Sequence, residues 1–223
     1  MLYEIKKRQV GKLERYVDST VADTILKEEQ PKNELRISEF VVMFTDIRSF
    51  TALSEHLEPA VLVDILNRYF SIVYECVKKY GGVLDKFTGD GAVAYWGAPK
   101  SEYDDAYRAC CAAEDIIEET SQFLSACGER FGLDNRLGIG INKGRAFVGN
   151  VGHAGRMDYT IIGDTVNTTS RLESIAPPGR IYISRAVVDA LGAQAEKEPL
   201  PPVRVKGKTG ELEIFELRRI IRR

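Results

Sequence analysis

Much of what usually announces a chemistry is scarce in this chain. Its four cysteines, Cys76, Cys110, Cys111 and Cys127, form no CxxC pair, which weakens zinc-site and thioredoxin-like readings. Reduced thiols buried inside helices are the expectation. The two histidines, His56 and His153, have no partner at ligand or catalytic spacing and are expected at the surface without a role. No run of about 18 apolar residues occurs, and the N-terminus lacks the apolar core of a signal peptide. The expected location is cytoplasmic, with no direct membrane insertion by this segment, although the cytosolic part of a larger membrane-anchored protein would read the same way. Neither sign of charge dominates: 31 Lys and Arg stand against 33 Asp and Glu, a net charge of -2. That balance argues against nucleic acid as a partner held by its phosphate backbone. Low-complexity stretches and 20–50-residue repeats are missing, which excludes solenoids.

What is present is a globular composition, 44% hydrophobic and 29% charged over 223 residues. Leu2, Ile5, Val10, Leu13, Val17, Val21 and Ile25 recur at helical spacing among charges, and Pro31 stops the pattern. Residues 1–35 therefore read as an N-terminal helical segment for dimerisation or signal transmission. Its narrow stripe suits pairing with another helix and equally suits packing on its own domain. Residues 36–218 read as the main domain. A strand rich in β-branched and aromatic residues, a helix from Pro59 to Tyr80, a tight strand pair around Gly89-Asp90-Gly91 and a helix from about Ser101 to Gly128 follow in turn. Strands near 137–142, 146–151 and 159–162, a helix from Asp164 to Ile175, then strand, short helix and strands near 203–205 and 213–217 complete it. The order β-α-β-β-α-β predicts an α+β fold with a ferredoxin-like core, helices on one face and a C-terminal extension. Residues 219–223 read as a basic, solvated tail.

Three local matches fail. Gly207-Lys208-Thr209 has Pro202 where a phosphate-binding loop needs its first glycine, and Gly138-Ile139-Gly140 has Lys143 where a dinucleotide fingerprint needs glycine. Asn167-Thr168-Thr169 fits a glycosylation sequon but lies in an expected helix. Stronger is the pair Asp46 and Asp90, each ending an apolar, strand-like run. Carboxylates meeting at adjacent strand ends suit Mg²⁺, which is usually held by one or two carboxylates with phosphates completing its shell. Ile47-Arg48-Ser49-Phe50-Thr51 then turns into a helix whose free backbone N–H groups suit phosphate oxygens.

Phe44-Thr45-Asp46-Ile47-Arg48-Ser49-Phe50-Thr51, then Asp85-Lys86-Phe87-Thr88-Gly89-Asp90, then Ile162-Gly163-Asp164-Thr165-Val166-Asn167 through Arg171-Leu172-Glu173, together resemble the class III nucleotidyl cyclase catalytic domain. The likeness runs from about Glu39 to Leu217 and includes Gly138 to Arg145 and Val205-Lys206-Gly207-Lys208. It implies an adenylyl cyclase that converts ATP to 3′,5′-cyclic AMP and pyrophosphate. Asp46, Asp90 and the Ile47 carbonyl would hold two divalent metal ions, Mg²⁺ or Mn²⁺. Asn167, orienting the ribose, and Arg171, neutralising charge on the α-phosphate, would come from the second subunit of a homodimer. Lys86 would donate to adenine N1 and Thr160 accept from the exocyclic amine. Thr160 is a departure, since many members carry Asp there, but one subgroup making cyclic AMP carries Thr; guanine-specific members carry Glu and Cys at the two places. Arg145, Lys206 and the N–H groups of Phe50 and Thr51 would hold the terminal phosphates. An upstream sensor or regulatory domain is a further implied partner. The rivals are a guanylyl cyclase, a catalytically silent dimeric regulatory module, and a diguanylate cyclase or polymerase palm. The last is disfavoured because the turn Thr88-Gly89-Asp90-Gly91 lacks an acidic pair.

Overall fold

The computed structural model describes residues 36–98, 100–129, 131–153, 156–204 and 211–222. The N-terminal helical segment and Lys206 lie outside them. The first strand, β1 (Arg36–Ile47), leads through a short helix, α1 (Phe50–Ser54), into α2 (Pro59–Lys79). The hairpin β2 (Val83–Thr88) and β3 (Gly91–Trp96) precedes α3 (Asp105–Glu129). Then come β4 (Leu137–His153), β5 (Arg156–Ile162) and α4 (Asp164–Ile175). The extension is β6 (Arg180–Ser184), α5 (Arg185–Leu191), β7 (Ala195–Pro199), β8 (Val203–Arg204), β9 (Glu211–Leu212) and β10 (Ile214–Ile220).

The strands form an eight-stranded sheet in the order β2-β3-β1-β4-β6-β10-β7, with β5 added to β4. Its first four strands are antiparallel neighbours. Each βαβ unit leaves room for one strand between its own two, β3 between β1 and β2 and β1 between β3 and β4, which is the split arrangement of the expected ferredoxin-like core. Alternation along β1 separates two packed faces. Val41, Met43 and Ile47 join the main core with residues of α2, α3 and α5, whereas Phe40 and Val42 join a second core with Ile161 of β5 and Val166 of α4.

So the helices are not all on one face, as expected from the sequence: α4 lies on the other. The reason is the small-residue bed along β4. A Cβ on Gly140 would lie 2.3 Å from the Glu173 nitrogen and 2.7 Å from the Thr169 carbonyl, and one on Gly144 would lie 2.7 Å from Thr165 Oγ1. Between them the Asn142 amide donates to the Thr165 carbonyl at 3.1 Å. Of the two glycines in the failed dinucleotide match, Gly140 lets a helix backbone touch the sheet. Ile139 and Ile141, facing the opposite way, are fully buried in the main core.

Other expectations are corrected in detail. The two strands expected at 137–142 and 146–151 are one, because pairing with β1 runs unbroken from Ile47 opposite Leu137 to Arg36 opposite Val148. The second long helix begins at Asp105, whose carboxylate accepts from the Glu102 N–H at 2.9 Å and the Ser101 hydroxyl at 3.1 Å, so 101–104 is a capping turn. The strand β7, Ala-Glu-Lys-Glu-Pro, was not anticipated. The basic end is not a loose tail either. Ile220 is buried in β10, Arg218 pairs with Glu198 and Glu216, and Arg222 pairs with Asp115 on α3. All four cysteines do sit in helices, three of them buried. Among the described residues no helix is long and apolar enough to cross a membrane.

Gly140→Ala is expected to destabilise the domain by about 1–3 kcal/mol, the usual cost of overpacking. The measurement is the urea midpoint at constant slope; an unmoved midpoint would mean that α4 does not lie so close.

Candidate functional site

The two aspartates meet as the strand reading predicted. Asp46 stands opposite Gly91 in the β1–β3 ladder, and the Ile47 N–H donates to the Asp90 carbonyl at 3.2 Å. Gly91 keeps this corner open: a Cβ there would lie 2.6 Å from the Thr45 carbonyl and 3.5 Å from Asp46 Oδ2. Behind it the Thr45 hydroxyl and the buried Tyr69 hydroxyl share a 2.6 Å hydrogen bond that ties β1 to α2. Beside the acids, Phe50 is half-buried against the main core and Thr51 is exposed, both in the first turn of α1. Ser49 precedes them with φ 56, the left-handed conformation that sharpens the turn out of β1.

Charge in the corner is unbalanced. Arg48 donates to Asp46 Oδ1 at 3.2 Å and to the Ala176 carbonyl at 2.9 Å, and its guanidinium pairs with Glu173 Oε1 at 2.7 Å. It fits because Gly138, opposite Asp46, has no side chain; a Cβ there would sit 2.0 Å from Arg48 Nη2. One guanidinium pairs with two carboxylates, and Asp90 adds a third negative charge to the corner. Burial, then the Asp90 and Glu173 charges, push the Asp46 carboxyl up to about 7 despite Arg48. Burial also raises Glu173. The corner thus carries an excess of negative charge. Among the described residues no three His, Cys, Asp or Glu side chains are grouped to hold a metal. Two carboxylates and a carbonyl fit an ion that completes its shell with water and phosphate oxygens, which is the habit of Mg²⁺.

Helix α4 carries Glu173 toward this corner. At about 100° per residue, Arg171 lies roughly 200° and Asn167 roughly 240° round the helix from Glu173. Accordingly Thr165, Thr168, Thr169, Leu172 and Glu173 are buried, Asn167 is exposed and Arg171 is half-exposed. Asn167 and Arg171 share a face, but it points away from their own Asp46.

A second cluster joins β2 to β5. Lys86 Nζ donates to Thr160 Oγ1 at 2.8 Å, and the Thr160 hydroxyl donates to Asp85 Oδ2 at 2.9 Å. Lys86 also stands 3.3 Å from that carboxylate, whose side chain is 1% exposed. Burial raises Asp85 against the Lys86 ammonium, the Thr160 hydroxyl and the Ile161 N–H, which favour the anion. Arg145 is exposed and opposite Glu39, while Gly138 is opposite Asp46, so Arg145 lies roughly 23 Å along the strand from that acid. His56 is exposed and stacks on Phe131 with ring centroids 4.6 Å apart.

Residues 33–219 match the family model described as the adenylate and guanylate cyclase catalytic domain. The chain belongs to that family. It is 36% identical to "Adenylate cyclase 1" of Rhizobium meliloti over 186 residues, 82% of this chain and 28% of that protein. The chain therefore spans about a quarter of that relative's length. Among solved structures it resembles the adenylyl cyclase CyaB from P. aeruginosa, with TM-score 0.77, 34% identity and coverage of 82% of this chain and 95% of that one. The guanylyl cyclase Cya2 is as similar in sequence, at 34%, with TM-score 0.75 and coverage of 83% and 94%. Sequence reasoning gave no role to Arg48, Glu173 or Asp85, although all three lie inside the motifs it used. Thr160 stands 75 positions from Asp85, and Glu173 stands 125 from Arg48, so no local spacing marks these pairs.

Because the folded value of Asp46 is raised, the native protein holds more protons than the unfolded chain between about pH 4 and 7, and stability falls as pH rises through that window. In chelator, Asp46→Asn is expected to raise the melting temperature at pH 8 and to raise it less at pH 5. Equal gains at both pH values would contradict an ionised, uncompensated Asp46.

Proposed function

We propose that this chain is the catalytic domain of an adenylyl cyclase whose two active sites lie at the seam of a homodimer. One observation carries the reading. Glu173 and the Asn167/Arg171 pair occupy opposing faces of α4, so the helix closes its own ion corner while offering Asn167 and Arg171 to a second copy. An isologous dimer returns the same favour and completes two equivalent sites. An apolar row supports a second copy: Ile37, Phe147 and Ile162 stand side by side across β1, β4 and β5, each 38% exposed or more.

The family is generally dependent on divalent metal. Asp46, Asp90 and the Ile47 carbonyl would hold two such ions, Mg²⁺ or Mn²⁺, which supply Lewis acidity toward the ribose 3′-oxygen and the phosphate oxygens. Asn167 of the partner would orient the ribose. The fork of donors on Arg171, also from the partner, would meet charge growing on the α-phosphate. The 3′-oxygen forms its bond to the α-phosphorus as the bridging bond to pyrophosphate breaks in line, and the hydroxyl proton leaves to solvent. Lys206 and the N–H groups of Phe50 and Thr51 would steady the departing phosphates, and Arg145, roughly 23 Å along the strand from its own Asp46, would join them only from the other subunit. Lys86 would donate to adenine N1 and Thr160 would accept from the exocyclic amine. A guanylyl cyclase is the second reading, favoured by the equal identity to Cya2; initial rates with ATP and GTP separate the two. Residues 1–35 would relay the state of a regulatory domain into dimer geometry.

Asp46→Ala and Arg171→Ala are each expected to lower kcat by about 10²-fold or more. Mixed together, each heterodimer carries one intact site of two and should recover about half the activity of a wild-type dimer. Heterodimers demonstrated by mass but inactive would refute sites shared between subunits.

A further inference from the structure

We infer that Asp85 sets base selection by fixing the direction of the Thr160 hydroxyl. This rests on the reading of Lys86 and Thr160 as the base-binding pair and adds a residue that never touches the base. Pairing of β2 with β3 slips between Leu84 and Lys86, so that Leu84 faces Ala94 and Lys86 faces Val93, and Asp85 is the extra residue of a bulge. In a regular strand, consecutive side chains point to opposite faces. A bulge re-aims one of them, and here both Asp85 and Lys86 reach the same Thr160 oxygen.

A hydroxyl has one proton to give and two lone pairs to accept with, and an ionised carboxylate only accepts. Asp85 accepts the hydrogen bond that the Thr160 hydroxyl donates. Thr160 can then act toward a ligand only as an acceptor, with one lone pair already facing Lys86. The adenine exocyclic amine is a donor and satisfies the remaining lone pair. Guanine presents a carbonyl oxygen at the same place, where it would meet lone pair against lone pair. Thr160 itself is 6% exposed and cannot turn to water for a different partner, whereas Lys86, 47% exposed at its side chain, leaves the cluster open on the ligand side. Threonine alone is ambivalent between the two bases; Asp85 removes the ambivalence. It is a positioning residue, acting through Thr160.

The test compares kcat/KM for ATP and GTP, together with competition binding of the two α-thio triphosphates. Wild type is expected to favour ATP. Asp85→Leu frees the hydroxyl proton to reach the guanine oxygen, and the ATP:GTP ratio should fall at least tenfold, with GTP turnover rising in absolute terms. Asp85→Asn keeps one acceptor oxygen and adds a competing donor, so its ratio should fall at least threefold, which keeps the test decisive if the leucine variant folds poorly. On a Thr160→Val background Asp85→Leu should leave the ratio unchanged. Equal losses for both nucleotides, or a shifted ratio that persists without the Thr160 hydroxyl, would overturn the inference and leave Asp85 a structural residue. A wild type that does not discriminate, or does not bind nucleotide, would instead overturn the reading of the base-binding pair.

Discussion

Everything at this site depends on how closely one helix approaches one strand. Gly140 and Gly144 give α4 a surface without side chains, and the 2.3 Å a Cβ would leave to the Glu173 nitrogen shows that no larger residue is accommodated without movement. Close packing fixes rotation as well as distance. With Leu172 and Thr169 fully buried, α4 has a single angular setting, in which Glu173 meets Arg48 and Arg171 faces away. A helix standing farther off on larger side chains would be free to roll, and the division of its two faces between two sites would be lost.

The ion corner illustrates why such sites are held rigidly. Asp46 and Glu173 share a single guanidinium with the charge of Asp90 close by, and the Asp46 carboxyl is driven up toward neutrality. Like charges placed together cost stability, which the surrounding structure must offset. Here the offset comes from the buried Thr45–Tyr69 hydrogen bond, the unbroken β1–β4 ladder and the fully buried residues on either side of Asp46 in β1. The excess of negative charge is then available to an incoming cation, while Arg48, held by the Glu173 carbonyl and by that of Ala176 just past α4, orients Asp46 and the Glu173 side chain.

Most of this architecture could be read from the sequence because it is written in local periodicity. The helices α2 and α3, the β2–β3 turn at Gly89-Asp90-Gly91 and the meeting of Asp46 with Asp90 follow from spacing of two or of three and four residues. Failures have one physical origin: they concern what a segment packs against. Gly138 to Gly144 looks like a broken strand until α4 covers it. Ala195 to Pro199 has poor strand propensity and becomes β7 only because β10 offers an edge. The basic end resembles a solvated tail until Asp115, some hundred positions earlier, accepts Arg222. Arg48, Asp85 and Glu173 were visible as residues but not as partners, for the same reason.

The two functional clusters also differ in where the fold puts them. Asp46 and the Ile47 carbonyl sit on β1, in the middle of the sheet and paired on both sides, with Asp90 in the turn that enters the neighbouring β3, whereas Asp85 and Lys86 sit on β2, the last strand of the path. A central strand is clamped by two ladders and cannot accept an extra residue without disturbing both. An edge strand can bulge, because only one neighbour must adjust. Placing Asp46 on the clamped strand and the Asp85 bulge on the edge strand separates two demands. The reacting groups need positions good to a fraction of an ångström. Recognition of one base over another needs only the direction of a proton, and one inserted residue on a sheet edge is enough to set it.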